Sequence, residues 1–226
     1  MVLVVAFGGS DDDTPQGTRL EEVARIGVSR VLSYVLDTPT SVDGVKLDRR
    51  AQTLELTGLC VANPDGFEAA SAILAKTVRI EADIRSLFSQ APVISLVTIE
   101  GARINVETNL AHGSNMKKLM GNVSRFKTPG LLKDLPKKQW KVEKAVLDNC
   151  IVENSTRLLT KETTSKTFDH LELDLAGANG KGLMANEALA KGLETVLEKT
   201  GLLSDLKSPG NANLPIGSLG ILKHRK

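Results

Sequence analysis

The most regular hydrophobic pattern in the chain runs through Leu20, Val23, Ala24, Val28, Val31 and Val35, with Arg19, Glu21, Glu22, Arg25 and Arg30 between them. That spacing puts one apolar stripe along a helix. Thr18 serves as its N-cap with Glu21 three residues on, and Pro39 biases Thr38 away from helical backbone, so the predicted helix runs from Thr18 to Leu36. The period then changes to two. Strand-like runs follow from Ser41 to Leu47, Gln52 to Val61, Thr77 to Leu87 and Val93 to Glu107, clearest where Val78, Ile80 and Ile84 alternate with Arg79, Glu81 and Asp83. A second helix begins at Ser114, where Met116, Leu119, Met120 and Val123 share a face, and Pro129 and Gly130 end it. Strands resume from Trp140 to Glu153, Arg157 to Lys161 and Lys166 to Leu175. A third helix carries Met184, Ala188, Leu189, Leu193, Val196 and Leu197 before Gly201 stops it.

Helix, consecutive strands, helix, and a shorter repeat of that order predict an α+β fold: a curved antiparallel sheet packed by three amphipathic helices. Leu54, Leu56, Val78, Ile80, Ile84, Leu171 and Leu173 should face inward, and Arg79, Glu81 and Asp83 outward. Residues 18–200 form the α+β domain, 1–17 a flexible or truncated anchor segment, and 201–226 an irregular basic tail. Met1 to Phe7 is apolar but far too short to span a bilayer, so it reads as a free apolar start or the end of a lost anchor.

Composition removes several classes of function. Lys and Arg number 29 against 27 Asp and Glu, a net charge of +2, and aromatic residues make up 3% of the chain. Neither an electrostatic footprint nor a stacking platform for nucleic acid results. Cys60 and Cys150 are too few for a disulfide scaffold or a zinc cage and read as buried structural thiols. His112, His170 and His224 lack metal-ligand spacing, and Asp11 to Asp13 lack the alternation of a calcium loop, so no metal or cofactor is expected.

Catalytic motifs are equally weak. Ser114 and Lys117 have S-x-x-K spacing and Lys199-Thr200-Gly201 reads K-T-G, yet no S-D-N element lies between them and the K-T-G ends a helix; Ser114 is read as an N-cap. The Gly177 to Gly182 turn fails the Walker pattern because Gly182 stands where Ser or Thr would hold magnesium. The chain is therefore not expected to be an enzyme. Asn63-Pro64-Asp65-Gly66-Phe67 is read as a structural turn: Pro64 fixes φ, Gly66 tolerates positive φ, Asn63 bonds its own turn and Phe67 anchors the exit in the core. Lys133, Lys137, Lys138, Lys141 and Lys144 around Trp140 are candidates for contact with an anionic membrane surface, the alternative being a solvated linker.

Several segments in order resemble the membrane-proximal module of the AsmA-like family of envelope proteins. They are Pro39 to Leu47, Leu54 to Leu59, Val61 to Phe67 with its Asn-Pro-x-Gly-Phe element, Val78 to Leu87, Val93 to Ala102, Gly113 to Leu119, and Leu173 to Gly177 with Glu187. The resemblance implies a non-enzymatic, membrane-associated protein on the periplasmic side of the cell envelope, with a lipid-binding or envelope-maintenance role. Its partners would be a membrane lipid surface or lipid ligand. The alternative is a structural accessory subunit of a larger membrane protein assembly. Two arrangements stay open for the sheet: an apolar concave face available to lipid, or a closed core under the three helices.

Overall fold

A computed structural model of the chain describes residues 16–48, 50–82, 86, 91–125, 139–157, 161–175 and 182–203. The order is α1 (Gln16–Leu36), β1 (Thr40–Ser41), β2 (Gly44–Asp48), β3 (Thr53–Ala62), β4 (Ser71–Ala82), β5 (Val93–Glu100), β6 (Arg103–Asn109), β7 (Gly113–Ser114), α2 (Asn115–Arg125), β8 (Lys141–Arg157), β9 (Lys161–Leu173) and α3 (Ala185–Thr200). The fold is α+β, with three helices on one large sheet. Helix α1 starts before Thr18, which is therefore inside the helix and not its cap. It stops at Leu36 as expected, because Asp37 turns left-handed (φ 51°) ahead of Pro39. Gly201 closes α3 in the same way, with φ 82° and the Leu202 N–H returning to Leu197 O at 2.9 Å.

The sheet is mixed. β3, β4 and β5 run antiparallel, and β8 and β9 form an antiparallel hairpin, but β8 lies parallel to both β5 and β6. The chain from β6 to β8 passes through α2, and a helical crossover delivers the next strand in the same direction. The two halves of the sheet share one unbroken register. β4 pairs with β5 through Thr77↔Glu100 and with β6 through Leu74↔Arg103, and β8 pairs Glu100↔Asp148 and Arg103↔Ile151. β5 and β6 are thus one strand interrupted at Gly101 and Ala102.

That interruption belongs to a crease crossing the whole sheet. Gly58, Gly101 and Asn149 have φ values of 62°, 63° and 53° and lie in neighbouring register positions on β3, between β5 and β6, and on β8. On each strand the inward-facing residues step by three at this line. Leu56 is followed inward by Leu59, Ala75 by Val78, Ile99 by Ala102, Leu147 by Cys150, and Phe168 by Leu171. A left-handed residue rotates the strand so that the apolar side stays inward while the sheet bends, as a bulge does. Ala24 and Val28 of α1 cover one side of the crease on Val45, Leu54, Leu56 and Val78, whereas α2 and α3 cover the other through Met116, Leu119, Val123, Val196 and Leu197.

The inward residues follow the sequence expectation. Leu54, Leu56, Val78, Leu171 and Leu173 are buried, Ile80 is half-buried and Arg79 is exposed, while Asp83 and Ile84 lie outside the described residues. Among the described residues the apolar face is buried in two clusters under the helices. The opposite face carries the ion pairs Arg79–Glu81 (3.2 Å), Arg103–Glu153 (3.4 Å) and Lys144–Glu172 (3.2 Å).

Candidate functional site

The turn after β3 and the head of α2 are joined by the most heavily bonded polar cluster among the described residues. Asn115, fully buried, donates from Nδ2 to Asn63 Oδ1 (2.8 Å) and Asn105 O (2.7 Å). Its Oδ1 accepts the N–H groups of Glu107 (2.9 Å) and Met116 (2.7 Å). Glu107 in turn accepts from Asn63 Nδ2 (2.6 Å), Ala69 N (2.8 Å) and Glu68 N (2.8 Å). Buried polar atoms retained in this way are satisfied by one another, the pattern of a structural clamp.

The Asn63 to Phe67 element is held by this clamp. Asn63 Nδ2 also donates to Ala69 O (2.9 Å), Lys118 Nζ to Asp65 O (3.1 Å) and Asn109 Nδ2 to Gly66 O (3.0 Å). Gly66 has φ 96°, and a Cβ there would stand 2.6 Å from His112 Cδ2, so both backbone and space require glycine. Pro64 is buried. Phe67 departs from expectation: it is half-buried, its ring 6.2 Å from that of His112 and 5.3 Å from Lys118 Nζ, and it packs on the surface instead of entering the core.

An open depression of about 420 Å³ lies beside the turn, with Phe67, Glu68, Glu107, His112 and Arg157 in its wall. Its charges are already engaged: Glu68 pairs with Arg157 and, at 3.3 Å, with Lys161. Partial burial acts to raise the Glu68 carboxyl, and these two cations outweigh it and hold it below its usual range. This wall braces the turn through the Glu68 ion pairs.

Lys133, Lys137 and Lys138 lie outside the described residues. Lys141 is paired with Glu143 (3.4 Å) and Lys144 with Glu172 (3.2 Å), which reduces the local positive charge. Trp140 is half-buried and exchanges backbone hydrogen bonds with Leu183 (2.7 and 2.8 Å). This bridge accounts for Gly182, whose Cβ would meet Trp140 O at 2.8 Å.

The remaining chemical candidates also take structural roles. Ser114 belongs to β7, its Oγ buried with no hydrogen-bond partner among the described residues, so Asn115 and not Ser114 receives backbone N–H groups at the head of α2. Cys60 and Cys150 are free thiols, and burial pushes the Cys150 thiol up to about 11. Among the described residues no group of three or more His, Cys, Asp or Glu could hold a metal ion, and no helix is long and apolar enough to cross a membrane.

The surface feature missed in the sequence is the outer face of α1. Val23 is 64% exposed, Ile26 38%, Val31 50% and Tyr34 58%, with Arg19 and Arg30 exposed among them. At about 100° per residue these four apolar side chains span roughly 140° of the helix, an arc that adjoins the covered one of Ala24, Val28 and Val35, with Val31 about 20° from Ala24. The stripe read in the sequence is therefore wider than the sheet covers, and its outer part faces solvent. No family model, curated protein or solved structure matches the chain.

Proposed function

We propose that the chain is a non-enzymatic, membrane-associated protein of the cell envelope that attaches to a lipid surface through the outer face of α1. The observation that carries this reading is the apolar face of Val23, Ile26, Val31 and Tyr34 with Arg19 and Arg30 beside it. A helix that is apolar towards solvent and carries arginines along that face has the composition of an interfacial helix, its aliphatic groups entering the acyl boundary and its guanidinium groups reaching anionic headgroups. The apolar segment from Met1 to Phe7 precedes α1 in the sequence. Among the described residues the sheet's apolar face is buried under the helices, so lipid is met at the surface and not within a groove. Placement on the periplasmic side rests on the AsmA-like resemblance.

Vesicle flotation tests the reading. Wild-type protein should float with phosphatidylglycerol-containing vesicles, more weakly at high salt, and the V23D/V31D variant should stay in the dense fraction with an unchanged melting curve. Equal flotation of variant and wild type, or no flotation of wild type, would overturn it. In the latter case a stoichiometric protein copurifying through the same face would support the accessory-subunit alternative.

A further inference from the structure

The free edge of β9 points to a second copy of this chain. Among the described residues β9 pairs with β8 alone, and it does so over Lys161 to Leu173 without a register shift. Every residue from Lys161 to Thr167 is exposed, so here the strand stands clear of the core on both faces. No proline or bulge blunts it. An edge of this kind presents a row of peptide groups ready to accept another strand.

The direction of those groups follows from the ladder. Ile151 N–H donates to Ala102 O, so odd-numbered residues of β8 beyond the crease address β6 and even-numbered ones address β9. The β9 partners of Val152, Asn154 and Thr156 are Lys166, Thr164 and Glu162, which turn their peptide groups towards β8. Lys161, Thr163, Ser165 and Thr167 therefore turn theirs towards the open edge.

We infer that two copies pair their β9 strands antiparallel about a two-fold axis at Thr164, joining their sheets into one. Thr164 is the centre of the exposed stretch. With the axis there, Lys161 faces Thr167 of the second copy and Thr163 faces Ser165, and these are the positions whose peptide groups point outward. They supply about eight inter-chain hydrogen bonds. Between them come the closely approached pairs without hydrogen bonds: Thr164 opposite Thr164, and Glu162 opposite Lys166 twice, once on each side of the axis. Opposite charges and threonine pairs at such positions are favourable, and no like charges meet. Lys166 already reaches towards Lys199 O at 3.3 Å, which keeps its stem ordered on that face.

Sedimentation equilibrium of the full chain over a wide concentration range tests the pairing. The wild type should show reversible dimerisation. E162K places two lysine pairs across the axis and should weaken the dimer on the order of tenfold or more, whereas E162K/K166E restores opposite charges and should recover most of the loss. S165P, which removes an outward N–H and leaves the β8 ladder intact, should abolish the dimer while preserving the melting curve. A chain that is monomeric throughout would overturn the proposal. So would a dimer indifferent to E162K, or one that E162K/K166E fails to restore.

Discussion

Replacing Asn115 with alanine should be among the most damaging single changes in this protein, although the residue touches no ligand. The side chain makes four hydrogen bonds of 2.7–2.9 Å from a fully buried position. Truncation strands the Glu107 and Met116 N–H groups, the Asn105 carbonyl and Asn63 Oδ1 beside a cavity. A buried group left without a partner costs about 1–3 kcal/mol, and relaxation of the turn can recover two of the four, so the net loss should be about 3–5 kcal/mol. Set against a total stability of about 5–15 kcal/mol, that is a large fraction. At roughly 2–4 °C per kcal/mol for a chain of this length, the melting temperature should fall by about 6–20 °C. Urea unfolding monitored through Trp140, the single tryptophan of the chain, measures it directly. A double-mutant cycle with Asn63→Ala should show that the two losses are not additive, because the residues share a 2.8 Å bond. A loss below about 1 kcal/mol for Asn115→Ala would mean that water replaces the clamp, and the structural role assigned to the cluster would be wrong.

The crease separates two further substitutions: Gly58→Ala, whose Cβ would stand 1.9 Å from Asp43 Oδ2 at φ 62°, should destabilise by at least the ~1–2 kcal/mol of a left-handed residue, whereas Asn149→Gly at φ 53° should be neutral or stabilising. Similar urea midpoints for the two variants would refute the shared backbone requirement. Burial holds the Cys150 thiol neutral up to about 11 against an ordinary 9.0, so the unfolded state releases its proton first and stability should decline as pH rises from 9.0 towards about 11. Cys150→Ser should flatten that part of the pH–stability profile, and an unaltered profile would assign the decline to other groups.

Much of the architecture could be read from the chain because local chemistry decides it. Asp37 and Pro39 end α1, Gly201 ends α3, and the alternation around Val78 sets which side of β4 faces the core. What escaped depended on neighbours distant in sequence. Ser71 to Ala75 was not read as strand because its inward residues change phase at the crease, and a step of three within a strand imitates helical spacing. The hairpin from β8 to β9 was misplaced: its second strand begins at Lys161, but the residues to Thr167 have no buried face and so no alternation to detect. The parallel junction of β8 with β5 and β6 leaves no mark on any one strand. The Asn63–Asn115 bond joins positions 52 apart, and neither asparagine distinguishes itself in sequence from a turn residue or a cap.

The part of α1's apolar arc that the sheet leaves uncovered has the same cause, and it ties the fold to the proposed attachment. A sheet creased at Gly58, Gly101 and Asn149 presents one apolar side, and three helices share it. α2 and α3 fill one half, where Val35 and Leu36 at the end of α1 meet them, and the rest of α1 lies over the other half. Ala24, Val28 and Val35 are sufficient to secure it, so Val23, Val31 and Tyr34 contribute little to this core. Their truncation to polar residues should accordingly leave folding intact, which is why the V23D/V31D variant can separate attachment from stability. A marked drop in its melting temperature would instead show that the outer face is part of the folded interior, and the lipid-facing assignment of α1 would fall with it.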